Sequence, residues 1–289
     1  MIDERVPVDL LVVGALTVDR LGATPVPGGS VLYASESASR AGWRVAALTT
    51  CGSDPIAAAG LVRLRAAARV EAILGARTTA FTHRERGTKR ASWIGEVGEA
   101  IAPTDPAMER LLSAISPGAV LFAPVADEIG PQLVARVMHG TPASRRVAAM
   151  QGWLRRVRRD VPLESRALDE LHPELRSVLA RADVLVASEA DLDAEGTTPA
   201  ARVTRLRAWC GPIPAIVLTM GREGALLDIG RDRRRIRPPR IISGVPTIGA
   251  GDAFAAVLAS ELGAGATLGG AATRASEAAS ALLAARQAT

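Results

Sequence analysis

Short uninterrupted aliphatic runs alternate with longer amphipathic stretches along most of this chain, and that alternation narrows the fold more than any other feature. Val8–Val13, Arg44–Thr49, Ala119–Ala123, Arg146–Met150, Asp183–Ala187 and Ala215–Thr219 read as strands. Val31–Ala41, Pro55–Ala68, Pro131–Met138, Leu168–Ala180, Pro199–Trp209, Ala253–Leu262 and Leu268–Ala285 read as helices. A strand that is apolar on both faces must be covered on both, and intervening helices supply the crossovers that parallel strands require. The expected fold is therefore α/β: a mostly parallel central sheet flanked by helices on both faces. The 289 residues are read as one such domain. Ligands of sheets like this bind beyond the carboxyl ends of the strands.

Two regions break the alternation. Asp19–Pro27 is short and rich in turn residues, and Ala76–Gly95 is polar, β-branched and interrupted at Gly87. They read as antiparallel strands outside the main sheet, forming a small β lid over roughly 16–28 and 76–96, with an ordinary surface hairpin as the plainer alternative.

Composition restricts the function. Aromatic residues are only 3% of the chain, so the core is aliphatic and a stacking platform for single-stranded nucleic acid is not expected. The formal charge is +5, with Lys89 the only lysine, and a modest positive charge favours an anionic ligand. The basic runs Arg155–Arg159 and Arg231–Arg240 lack flanking aromatics and read as solvated surface. Cys51 and Cys210 are far apart and outside any CxxC pattern, as in a reducing compartment. His83, His139 and His172 show no metal-ligand spacing and read as surface or packing residues. No leader and no bilayer-length apolar run is apparent, so a cytoplasmic protein with neither membrane nor nucleic-acid partners is expected.

One segment carries chemistry. Pro246–Thr247–Ile248–Gly249–Ala250–Gly251–Asp252 leads straight into an apolar helix. Glycines at 249 and 251 let successive backbone N–H groups converge on one point at a helix N-terminus, where the dipole also favours negative charge. A phosphoryl group in transit needs fixed donors of that kind. Asp252 follows directly and is placed to take the proton of an attacking hydroxyl. Its alternative role is a helix N-cap, which would not need the Gly-Ala-Gly before it.

This segment resembles the D-T-x-G-A-G-D signature of the ribokinase/PfkB family of carbohydrate and nucleoside kinases, and further segments follow in the family's order. The Gly-Ala-Gly-Asp core is intact, and Pro246 replaces the leading Asp. The resemblance implies a ribokinase-like fold and transfer of the γ-phosphoryl group of Mg2+-ATP to an alcohol. Asp252 would be the base, with Gly249, Ala250 and Gly251 forming the anion hole. Because the missing Asp neighbours the family's monovalent-cation site, Pro246 puts cation activation in question.

Other roles follow from the same resemblance. Thr219, Gly221 and Gly224 look like the family's T-x-G-x-x-G turn, and with Thr247 they would contact the nucleotide. Ser188 and Asp191 stand in the N-x-x-E motif, which organises Mg2+, so Asp191 is the metal candidate and Glu189 its neighbour; a capping box is the alternative. Asp19 resembles the substrate-contacting carboxylate, and Gly28 and Gly29 the glycine pair on which the acceptor packs. Tyr33, the only tyrosine, stands where ribose kinases carry Asn, which argues for another acceptor. Gln151 and Arg155 lie in a Gln-Gly-x-x-Arg run similar to that of an inositol 3-kinase branch and are acceptor-site candidates.

The acceptor implied is a sugar, a polyol such as myo-inositol, or a nucleoside. A homodimer through the lid stays open. The competing class is a non-catalytic nucleotide- or sugar-sensing protein on the same fold, suggested by Pro246, Ser188 and Asp191. A dehydrogenase is disfavoured because no G-x-G-x-x-G follows the first strand. Serine-hydrolase chemistry lacks a nucleophile-elbow context.

Overall fold

The structure is a computed structural model and describes residues 5–22, 24–86 and 89–287. The interruption expected at Gly87 lies outside the described residues. In chain order the strands are β1 (Val6–Ala15), β2 (Thr17–Leu21), β3 (Pro25–Gly28), β4 (Val45–Cys51), β5 (Arg69–Leu74), β6 (Thr79–Arg86), β7 (Lys89–Glu96), β8 (Ile115–Phe122), β9 (Arg145–Ala149), β10 (Arg155–Arg156), β11 (Glu164–Ser165), β12 (Val184–Ser188), β13 (Ala215–Thr219), β14 (Ala225–Ile229) and β15 (Asp232–Ile236). The helices are α1 (Ser30–Arg40), α2 (Pro55–Ala67), α3 (Pro106–Ala114), α4 (Pro131–Gly140), α5 (Pro173–Leu179), α6 (Pro199–Cys210), α7 (Ala250–Gly263) and α8 (Leu268–Gln287).

The main sheet runs β15-β14-β13-β12-β9-β8-β1-β4-β5. From β13 to β5 every pairing is parallel, while β14 and β15 add antiparallel strands at one edge. Alternation along β1 sends Leu11 and Val13 to one face and Leu10 and Val12 to the other. One face packs against α3, α4, α5 and α6, and the other against α1, α2, α7 and α8. The continuous aliphatic runs are thus explained by burial on both sides.

Helix starts are marked by chemistry visible in the sequence. Pro55, Pro106 and Pro199 each occupy the first turn of a helix, after Asp54, Asp105 and Thr198, whose side chains accept from the first free N–H groups. Pro173 does the same for α5. For that reason the helix expected over Leu168–Ala180 is two elements: a 3-10 turn at Leu168–Glu170, a break, then α5.

β10 and β11 pair separately as a two-stranded ribbon, and four strands form a second sheet, ordered β3-β2-β6-β7. This matches the two irregular regions, with one correction. β2 and β3 are antiparallel, as are β6 and β7, but β2 and β6 pair in parallel. Asp19 stands opposite Phe81, and His83 opposite Ser92, so Thr17, Asp19, Phe81 and His83 share a face. The outer edge of β7 is covered in cis: Asp160 N–H donates to the Ile94 carbonyl (3.1 Å) and Leu163 N–H to the Ser92 carbonyl (2.7 Å). The β3 edge carries Pro25 and Pro27, which lack N–H groups, and packs against α2.

Candidate active site

Sheet order reverses at β1 and β8. From β1 the chain builds outward to β4 and β5, and from β8 it builds the other way through β9, β12 and β13. A crevice opens at such a switch point, beyond the carboxyl ends of the strands. Here it is a cavity of about 130 Å3. Its floor comes from the ends of β9, β12 and β13, its back wall from α1 and the start of α7, and its roof from the β2 and β6 face of the second sheet.

The start of α7 sets the chemistry. Gly249 is the N-cap, in the left-handed region at φ 81°. The helix therefore begins at Ala250, earlier than expected, and Asp252 is its third residue and not its cap. Gly249, Gly251 and Asp252 all line the cavity. Ala250 does not line it, because its N–H donates to the Thr247 carbonyl (3.1 Å) to close the turn. Of the three residues, Gly249 and Gly251 are thus the ones at the cavity, and Ala250 serves the turn.

The second carboxylate, Asp19, is only 4% exposed. The Thr17 hydroxyl donates to its Oδ1 (2.8 Å). Gly28 lies against this carboxylate so closely that any Cβ would overlap Asp19 Oδ2, so the first glycine of the pair makes room for Asp19 and does not itself line the cavity. Gly29, the N-cap of α1, does line it. Tyr33, one turn into α1, packs its ring on Gly249. Burial, then the nearby charges of Asp19 and Asp252, hold the Tyr33 hydroxyl far above its ordinary pKa, so it stays protonated. Arg286 and Arg63 act weakly in the opposite sense.

Opposite Tyr33 lies the turn after β9. Gln151 and Arg155 both reach the cavity. Trp153 anchors the turn by donating from Nε1 to the Ile129 carbonyl (2.7 Å). Arg155 Nη1 donates to the Val125 carbonyl (2.9 Å), and its guanidinium lies 5.2 Å from the Phe81 ring centroid. Arg155 therefore departs from the solvated-surface expectation for its basic run. In the second run Arg234 and Arg235 pair with exposed Asp232 and Glu223, while Arg233 reaches the buried carboxylate of Asp228.

At the end of β12, Ser188 N–H donates to Asp191 Oδ2 (3.0 Å) and Asp191 N–H to Ser188 Oγ (3.1 Å). These are capping-box bonds, and they close a turn here and do not open an α-helix. Asp191 still lines the cavity. Among the described residues no cluster of three metal-ligating side chains exists. Asp191 therefore fits Mg2+ in the limited sense that this ion takes one or two carboxylates and completes its shell with phosphates and water. Glu189 is committed to Arg202 Nη1 (2.6 Å).

Thr219 and Thr247 line the main cavity. Gly221 lines a neighbouring shallow cleft with Ser188, Glu189 and Thr219, while Gly224 closes the β13–β14 turn, its Met220 partner donating N–H to its carbonyl (2.7 Å).

Sequence reasoning missed His83. It lines the cavity beside Asp19, its Nε2 3.9 Å from Asp19 Oδ1, and Ser92 Oγ lies 2.8 Å from its Nδ1. The ring stacks on Phe81 with centroids 6.0 Å apart. The period-two pattern Phe81-x-His83 held the signal, since both residues must share a face. Thr17, Ser30 and Val125 are further lining residues that sequence reasoning did not identify.

Comparison with known proteins agrees with this architecture. Residues 148–289 match the family model of pfkB family carbohydrate kinases. A structure of a pyrophosphate-dependent kinase in the ribokinase family, complexed with a pyrophosphate analogue and myo-inositol, superposes with a TM-score of 0.77 at 18% identity, covering 95% of each chain. Arabidopsis thaliana ribokinase complexed with ribose and ATP gives 0.71 at 18% identity over 95% of this chain and 92% of that one. Adenosine kinase from Sinorhizobium meliloti gives 0.75 at 16% identity over 98% and 99%. No curated protein sequence matches the chain.

Proposed function

We propose that this chain, whose residues 148–289 match the pfkB family of carbohydrate kinases, is a phosphotransferase of the ribokinase/PfkB type that transfers the γ-phosphoryl group of ATP to a hydroxyl of a polyol, sugar or nucleoside. The observation that carries this reading is the single cavity joining Asp252 and the Gly249–Gly251 turn to Asp19, Tyr33, Gln151 and Arg155.

In this reading Asp19 accepts hydrogen bonds from acceptor hydroxyls, a task suited to an acceptor-only carboxylate. Tyr33, His83 and Gln151 supply complementary partners, and Arg155 closes the wall beside Phe81. The acceptor hydroxyl faces Asp252. As its oxygen attacks the γ-phosphorus, its proton passes to the Asp252 carboxylate and the bond from the γ-phosphorus to the bridging oxygen breaks, releasing ADP. The N–H groups of Gly249 and Gly251 stabilise charge on the transferring oxygens. The donor lies along Thr219, Thr247 and the Gly221–Gly224 turn. Asp191 is the residue that would hold Mg2+, directly or through water, and the ion would supply neutralisation of phosphate charge there. The second sheet acts as a lid that keeps water, a rival acceptor, away.

Tyr33 and its distance in chemistry from Asn favour a polyol over ribose. Similarity to a pyrophosphate-dependent structure keeps pyrophosphate as a rival donor. A turnover screen of polyols, sugars and nucleosides, each with Mg2+ and either ATP or pyrophosphate, tests both points. Product with ATP and a polyol supports the reading. Turnover with pyrophosphate alone would replace the donor, and no phosphorylated product from any pairing would overturn the function.

A further inference from the structure

Beneath the acceptor side of the cavity lies a buried carboxylate that the reaction does not use. Glu128 is 4% exposed and sits in the loop after β8. Its Oε1 accepts from Ala15 N–H (3.1 Å) and Val125 N–H (2.9 Å), and its Oε2 from Val125 N–H (3.0 Å) and Ala126 N–H (2.8 Å). Its own carbonyl accepts from Ile101 N–H (2.9 Å).

The position explains the need. β1 and β8 are neighbours, but their chains leave the sheet on opposite sides: β1 through the second sheet to α1, β8 toward α4. The last backbone link between them is Ala123 N–H to the Val13 carbonyl (2.8 Å). Beyond it the ladder ends and the crevice begins, and Glu128 takes over the bridging. An ionised carboxylate offers only acceptors, so it takes three converging N–H groups without placing a donor against a donor. Burial pushes its carboxyl pKa up, opposed by the N–H groups of Ala126, Glu128, Val125 and Ala15. A buried charge is a poor source of stability, so what it gains is geometry.

That geometry reaches the acceptor site from two sides. Ala15 is the last residue of β1, two before Thr17, whose hydroxyl holds Asp19. Val125 lines the cavity and its carbonyl holds Arg155. Ala15, Val125 and Ala126 also form the apolar seat for Phe81 and Ile94 of the second sheet.

We propose that Glu128 is a positioning residue of the acceptor site, locking the ends of β1 and β8 together so that Asp19 and Arg155 face the same substrate. Its kinetic consequence rests on the phosphotransfer reading above; its structural consequence does not.

The test uses the full chain with Glu128→Gln, whose amide must turn a donor toward at least one of the three N–H groups, and Glu128→Asp, which is one methylene too short to reach both strand ends. The expected result is a rise in acceptor KM of roughly tenfold in Glu128→Gln, the scale of one unsatisfied buried donor, with donor KM within about twofold of wild type on the same grounds. Backbone hydrogen exchange is expected to speed up at Ala15, Val125 and Ala126 in both variants while α7 stays protected. Unchanged exchange at those three amides would overturn the proposal. So would faster exchange with acceptor and donor KM moving equally, which is the signature of general loosening. If wild type phosphorylates no acceptor, the phosphotransfer reading falls, and the exchange measurement alone still decides whether Glu128 locks these strand ends.

Discussion

Gly249 and Tyr33 meet where the start of α7 abuts α1. Gly249 has φ 81°, and a Cβ built on it would lie 2.7 Å from Tyr33 Cγ, 2.9 Å from Cδ1 and 3.1 Å from Cβ. Gly249→Ala therefore carries two separable penalties. Holding an L-residue in the left-handed region costs about 1–2 kcal/mol. Overlap with a ring anchored on α1 adds about 1–3 kcal/mol, the scale of overpacking. The sum predicts a loss of about 2–5 kcal/mol in unfolding free energy. In a Tyr33→Ala background the ring is gone and only the backbone penalty of about 1–2 kcal/mol remains. The double variant should thus be more stable than the sum of the single effects by about 1–3 kcal/mol. Urea unfolding of the four proteins measures that coupling. Additivity within about 0.5 kcal/mol would refute the reasoning, because it would mean that the ring and the turn do not meet.

Two further outcomes follow from the geometry. His83→Ala should raise acceptor KM roughly tenfold, the loss of one hydrogen-bonding partner in a closed site, while leaving donor KM in place; initial-rate kinetics with each substrate varied checks this. Burial pushes the thiols of Cys51 and Cys210 from their ordinary 9.0 to about 11. The native state therefore holds these protons more tightly than the unfolded chain, so stability should be full below pH 9, fall as pH rises, and level off above about 11. The double variant Cys51→Ser with Cys210→Ser should lose this alkaline fall, as unfolding midpoints across that range would reveal.

The parts of the fold legible in the sequence were those where burial forced a simple pattern. Runs such as Val8–Val13 and Ala215–Thr219 had to be interior strands, because both faces of their sheet are covered. β5 and β15, at the two edges of the sheet, carry mixed sequences such as Asp232–Ile236 that do not stand out from loops. α3 was missed although Asp105-Pro106 is a helix-start signal. In the site, Asp252 and its glycines were legible because special backbone geometry leaves a local mark. Gly28 was legible as a glycine but not for its reason, since the group it makes room for, Asp19, is brought there by strand pairing. Neither the entry of His83 into the cavity nor the bridge that Glu128 makes between the ends of β1 and β8 was legible. Their importance depends on which strands become neighbours, and that is a tertiary fact.

The central claim is that Asp252 removes the acceptor's proton. Steady-state kinetics of Asp252→Asn, with the best acceptor and donor from the turnover screen, tests it most directly. The amide keeps the shape and removes the base, so kcat should fall by about 10²–10⁴-fold, with acceptor KM changed by less than about threefold. Retention of most of the wild-type kcat would contradict the account and move the base elsewhere in the cavity.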